Sequence, residues 1–169
     1  MAPPNIKHKD HLARLVDLHL AWQRTAKQEK IAECTFLTKR TALSTKNGNE
    51  HLNTAKGHAD AVLTFKRGAK PAQTMLLVLE TGNLRQARHW EPRINAFLKT
   101  NMPVLIVSLN ERRLTTLREW TLPMLKAAGI EEERYIFCLY DEIVTGGFLA
   151  SIESCTKSGG IKIPVLPVN

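Results

Sequence analysis

The chain reads as an α/β protein, a three-layer sandwich with a central mixed β-sheet, and three observations carry that reading. Short β-rich apolar runs at Ala61–Phe65, Met75–Leu79, Val104–Val107 and Tyr135–Leu139 alternate with longer stretches of helical periodicity. Pro103–Ser108 is apolar almost throughout, as in a strand covered on both faces. Helical stretches before, between and after the strands supply the covering layers. With 169 residues, 43% of them hydrophobic, the chain suffices for one domain with a sizeable core. That domain is expected over 1–169, with its core at about 8–140 and a C-terminal extension at 141–169.

Taken in order, His8 to about Lys30 places Leu12, Leu15, Val16 and Leu20 at helical spacing, with Leu18 and Trp22 broadening the apolar stripe of an opening amphipathic helix. Ile31–Thr38 predicts a short strand, and the polar stretch Ser44–Gly57 a loop. Asp60–Lys66 and Thr74–Glu80 predict two strands joined as a hairpin through Lys66–Pro71. Gly82-Asn83 ends the second. Leu84–Thr100 is then helical, with Pro92 making Glu91–Leu98 its well-formed part. Pro103–Ser108 is the fourth strand. Asn110–Ala128 is a helix with Asn110 as N-cap, Leu114, Leu117 and Leu125 inward and Gly129 as its stop. Tyr135–Tyr140 is the last strand, and a Gly- and Pro-rich tail from Thr145 packs loosely. The predicted order is α, β, β, β, α, β, α, β.

The net charge is +8, and it is unevenly spread. Met1–Ala128 carries 21 Lys and Arg against 10 Asp and Glu, whereas Gly129–Asn169 carries 3 against 6. No run of five like charges occurs, which excludes a histone-like or ribosomal tail and leaves a basic face on a folded domain facing a polyanion. Cys34, Cys138 and Cys155 are too far apart for a zinc site and read as reduced thiols. No apolar run approaches the roughly 20 residues that cross a bilayer, and Met1-Ala2-Pro3-Pro4 opens no signal peptide. The expectation is a soluble cytoplasmic protein with no membrane partner.

Two acids stand out. Asp60 opens one strand of the hairpin and Glu80 closes the other, so an antiparallel pairing brings them to the same end of the sheet. Paired carboxylates in a basic protein suit Mg²⁺ or Mn²⁺ held against a phosphodiester, because hard oxygen ligands hold the cation while neighbouring arginines and lysines hold the nucleic acid. The alternative is that a strand-end Asp caps a turn and a strand-end Glu is solvated. Glu33 and Asp17 are weaker candidates for a further ligand. Lys66, Arg67 and Lys70 in the hairpin turn, Arg85, Arg88, His89, Arg93 and Lys99 along the next segment, and Arg112, Arg113 and Arg118 on the later helix form the expected phosphate surface. Trp90 lies among them, either stacked on a base or buried. His58 precedes Asp60 by two, whereas His8, His11 and His19 lack the spacing of a metal-binding helix face.

The order α-β-β-β-α-β, with Ala59-Asp60 at the start of the second strand and Glu80-Thr81-Gly82 at the end of the third, resembles the core of the PD-(D/E)XK phosphodiesterase superfamily, with its restriction-endonuclease-like fold. More narrowly, His58–Arg118 resembles the plasmid replication-relaxation family through His58-Ala59-Asp60-Ala61, Leu77-Val78-Leu79-Glu80, Arg93-Ile94-Asn95-Ala96-Phe97, Pro103-Val104-Leu105-Ile106-Val107 and Glu111-Arg112-Arg113. The likeness covers a little over a third of the chain. It implies Asp60 as bridging metal ligand, Glu80 as second ligand, the Thr81 carbonyl as third, and Mg²⁺ or Mn²⁺ as cofactor. Gly82 stands where the superfamily has a Lys and the narrower family an Asp, and Arg93 is the best-placed substitute cation. An arginine stabilises phosphate charge but serves no general-base role. The resemblance thus implies a DNA-binding protein of plasmid or mobile-element type, acting in replication, relaxation or mobilisation. Two alternatives stay open: an active Mg- or Mn-dependent endonuclease using Asp60, Glu80 and Arg93, and an accessory subunit that binds a protein partner. The expected partners are DNA and other replication or mobilisation proteins, with a homodimer one route to specificity.

Overall fold

The middle of the sheet forms where the sequence is most apolar. In β3 (Gln73–Glu80) every residue from Met75 to Glu80 is buried, and in β4 (Val104–Ser108) all are. The computed structural model describes residues 6–31, 33–44, 50–66, 72–82 and 86–148. Its five-stranded sheet runs in chain order, β1 (Glu33–Thr38), β2 (Ala61–Lys66), β3, β4 and β5 (Tyr135–Leu139). β2 is antiparallel to both its neighbours, whereas β3, β4 and β5 are mutually parallel. The register sets Ala61 opposite Leu77 and Glu80 opposite Ser108.

Alternation along the strands divides the core in two. Leu63, Leu77, Leu105 and Cys138 join a cluster with Leu15, Leu18, Trp22 and Ala26 of α1 (Ile6–Gln28) and with Ile143 of α6 (Tyr140–Gly146). Val62, Val78, Ile106 and Phe137 face the other way, towards Ala42 of α2 (Lys39–Ser44), Ala55 of α3 (Glu50–His58), Ile94 and Phe97 of α4 (Glu91–Leu98) and Leu117 of α5 (Glu111–Ala127). Two helical layers enclose one mixed sheet, the architecture expected.

Three local expectations change. Ser44–Gly57 is not a continuous loop: α3 occupies Glu50–His58, seated on the sheet through Ala55 although its sequence is mostly polar. The apolar stripe of α1 splits. Leu15, Leu18, Trp22 and Ala26 turn inward, whereas Leu12, Val16 and Leu20 are 48%, 56% and 52% exposed. The tail expected from Thr145 is structured as far as Phe148, which is fully buried, stands edge-on to Trp22 at 5.2 Å and donates its N–H to Thr25 Oγ1 at 3.1 Å. Residues 141–148 therefore belong to the sandwich. Of the two readings of Trp90, the buried one holds: it is a core residue, fully buried, with its indole N–H donated to Thr121 Oγ1 at 2.9 Å, so it presents no face to a base. Among the described residues no helix is long and apolar enough to cross a membrane.

Candidate nucleic-acid site

The site lies where β3 and β4 end and β2 begins. Asp60 sits one residue ahead of β2 and donates its backbone N–H to Leu77 O at 2.9 Å. The next inward-pointing amide of β3, that of Leu79, extends past the end of β2, and Asp60 Oδ2 accepts it at 2.9 Å. The carboxylate thus closes the sheet ladder where the backbone of β2 runs out. Asp60 Oδ1 lies 3.2 Å from His11 Nε2 on α1, and Oδ2 lies 3.7 Å from Arg93 Nη1 on α4. Helices from opposite faces of the sheet therefore meet at one carboxylate.

Glu80 is 4% exposed at the end of β3. Its Oε1 accepts the Gly82 N–H at 2.8 Å and faces Arg113 Nη2 at 3.6 Å. Gly82 has φ +91°, a conformation L residues rarely adopt, although a Cβ there would meet nothing within 4 Å. The glycine is thus required by its backbone angle, which turns its amide back onto Glu80. Arg113 is placed by α5, whose N-cap Asn110 accepts the Arg113 N–H at 2.9 Å, and its guanidinium also lies over the Trp120 ring at 5.0 Å.

His58, the last residue of α3, is held below the ordinary histidine pKa by burial first, then by the positive charges of Arg93 and Lys39. Lys39 is anchored beside the site because its backbone N–H bonds to Asp60 O at 3.0 Å. Lys39 and Arg93 therefore place two cations around Asp60, with His58 held towards its neutral form between them, and the buried Arg93 Nη1 has no hydrogen-bond partner among the described residues.

Of the expected site residues, Asp60, Glu80, Arg93 and Arg113 are brought together, each acid facing one arginine. Arg88 and His89 are exposed on a single 3₁₀ turn, and Arg112 is exposed on α5. Lys66 pairs with Glu33 at 3.3 Å on the sheet surface. Glu33 is thereby placed away from Asp60, and Asp17 instead accepts the Tyr140 hydroxyl at 2.6 Å. Arg67, Lys70 and Arg85 lie outside the described residues, as does Cys155. His11 and Lys39 reach the site unannounced by sequence. His11 lies 49 residues from Asp60, so no local pattern signals the contact.

Thr81 follows Glu80 directly, but among the described residues no three His, Cys, Asp or Glu side chains gather into a group that would hold a metal. The Asp60 oxygens already meet an imidazole, an amide and a guanidinium, and Glu80 Oε1 meets an amide and a guanidinium. This donor set, as arranged, suits arginine cations better than Mg²⁺ or Mn²⁺. Comparison of the chain with protein-family models, with curated proteins and with solved structures finds no match.

Proposed function

We propose that the protein binds DNA through a nuclease-like core, as a plasmid or mobile-element protein acting in replication, relaxation or mobilisation. The restriction-endonuclease-like reading is supported by the order α1, β1, β2, β3, α4, β4, with α2 and α3 inserted before β2, by Asp60 leading β2 and by Glu80 closing β3. The observation that carries binding over cleavage is the pairing of each acid with an arginine, Asp60 with Arg93 and Glu80 with Arg113.

In this reading the carboxylates aim guanidinium groups whose remaining N–H groups donate to phosphate oxygens. Lys39, Arg88, His89 and Arg112 extend the basic surface around them. Such contacts hold the backbone of a strand with little regard to base sequence, and affinity falls steeply with salt. Gly82 agrees with this reading, since its amide completes the Glu80 pairing and its φ disfavours the lysine found in the superfamily pattern.

The endonuclease alternative draws on both acids lying at one end of the sheet, with Glu80 buried. Mg²⁺ or Mn²⁺ would then have to displace Arg93 and Arg113 to reach Asp60, Glu80 and the Thr81 carbonyl. The test is nicking of supercoiled plasmid with each metal, with DNA binding recorded in parallel, for wild type, Asp60→Ala and Glu80→Ala. Binding without nicking supports the proposal. Nicking lost in both variants while binding persists establishes the nuclease. Absence of salt-sensitive DNA retention overturns both and favours an accessory subunit that binds a protein partner.

A further inference from the structure

The large hydrophobic side chains left exposed among the described residues are Leu12, Val16 and Leu20, and all three lie on α1. Their spacing of four places them on one i±4 ridge, the surface feature that interdigitates when two helices cross. A soluble domain rarely leaves such a ridge uncovered. The cluster beneath the helix is complete without them, since Leu15, Leu18, Ala21, Trp22 and Ala26 make its inward face.

We infer that two copies of the chain associate through this ridge, as an antiparallel α1 pair with its two-fold axis at Val16. The ridge is symmetric about Val16, with a leucine four residues to either side. A two-fold axis there sets Val16 against the partner's Val16 and Leu12 against the partner's Leu20, so one patch is its own complement. The same operation sets exposed Lys9 against the partner's Gln23 rather than against a like charge. It also brings exposed Arg24, which donates to Val144 O at 2.8 Å, to the same flank as the partner's Asp10, which within its own chain faces Arg14 at 3.4 Å, about 3 Å apart along the axis at 1.5 Å per residue. Beside Leu20 an open groove of about 520 Å³, lined by Asp17, Arg24 and Val144 among others, offers room for the partner's side chains. Three side chains make a small apolar patch, so the dimer should be weak and concentration-dependent.

The test is sedimentation of the full chain between about 1 and 100 µM, for wild type and Val16→Asp. A wild-type dimer whose dissociation constant rises at least about tenfold in Val16→Asp, with an unchanged circular-dichroism melt, is expected. A wild type monomeric throughout overturns the inference, as does a Val16→Asp dimer of unchanged affinity. Cysteine pairing reads the geometry independently of that variant's folding, against a wild-type control for Cys34 and Cys155. Val16→Cys should self-crosslink on oxidation, and Leu12→Cys should crosslink with Leu20→Cys in a mixture. Self-crosslinking of Leu12→Cys in preference to that mixed pair refutes the two-fold axis.

Discussion

Replacing Asp60 separates the structural duty of its carboxylate from its chemical one. In Asp60→Ala, the Leu79 amide at the end of the buried β3 loses its acceptor, His11 loses its partner and Arg93 loses its counter-charge. An amide left unsatisfied away from water costs about 1–3 kcal/mol. The His11 and Arg93 contacts, at side chains one-fifth to one-third exposed, add at most about 1 kcal/mol together. The sum, about 1–4 kcal/mol, is a sizeable part of the roughly 5–15 kcal/mol that holds a domain folded. In Asp60→Asn the amide oxygen still accepts from Leu79, so the cost falls to about 1 kcal/mol. Urea unfolding reads both variants, with the alanine midpoint lower by about 1–2 M at constant slope. The same asparagine variant removes a negative charge beside Arg93, so DNA binding at fixed salt should hold or tighten. Alanine costing less than about 0.5 kcal/mol, or asparagine costing as much as alanine, refutes the idea that this carboxylate closes the sheet. Weaker DNA binding by the asparagine variant refutes its placement beside a phosphate.

Three further outcomes are expected. Arg93→Ala and Arg113→Ala should each weaken DNA binding without altering sequence preference, and each should shallow the slope of log affinity against log salt by about 1, checked by fluorescence anisotropy across a salt series. Gly82→Lys, which restores the superfamily's residue, should cost about 1–2 kcal/mol because a side chain is strained at φ +91°, and should confer no nicking with Mg²⁺; nicking above background would contradict the binding reading. His58, held below its ordinary 6.5, contributes stability that is full above about pH 6.5 and is lost as pH falls through its folded value, since the unfolded chain takes up the proton first. His58→Gln should flatten the fall in unfolding midpoint below pH 6.5, and an unchanged slope would place that proton elsewhere.

The strands were legible because β3 and β4 are covered on both faces, and residues facing two apolar layers leave an apolar run that local reading detects. The cap of α5 and the start of α4 were legible for the same kind of reason: Asn110 and Pro92 act on their own helices. The α1 stripe was legible as a helix but not as two faces, because Leu15 and Val16 are equally apolar and only the position of the sheet decides between them. α3 was hidden because few of its side chains reach the core. At the site, the acids and Arg113 carried a local signal, whereas the contact of His11 with Asp60 and the pairing of Arg113 with Glu80 join residues 49 and 33 apart in the chain, set by how helices lie on the sheet. The role of Gly82 was illegible because a missing side chain does not disclose the angle its backbone adopts.

The closure of α6 on α1 has a consequence for biosynthesis. The sheet's spatial order is its chain order, so each strand can add to its predecessor as it leaves the ribosome, with no earlier strand held in wait. The α1 side is different. Asp17 must wait for Tyr140, and Thr25 and Trp22 for Phe148, each more than a hundred residues later. Until the last of these emerges, Trp22 has Phe65 beside it but lacks Phe148, the second of its two aromatic neighbours. A nascent chain stalled before Tyr140 thus carries a nearly finished sheet with one open seam, the stretch at which a chaperone or a premature partner would take hold.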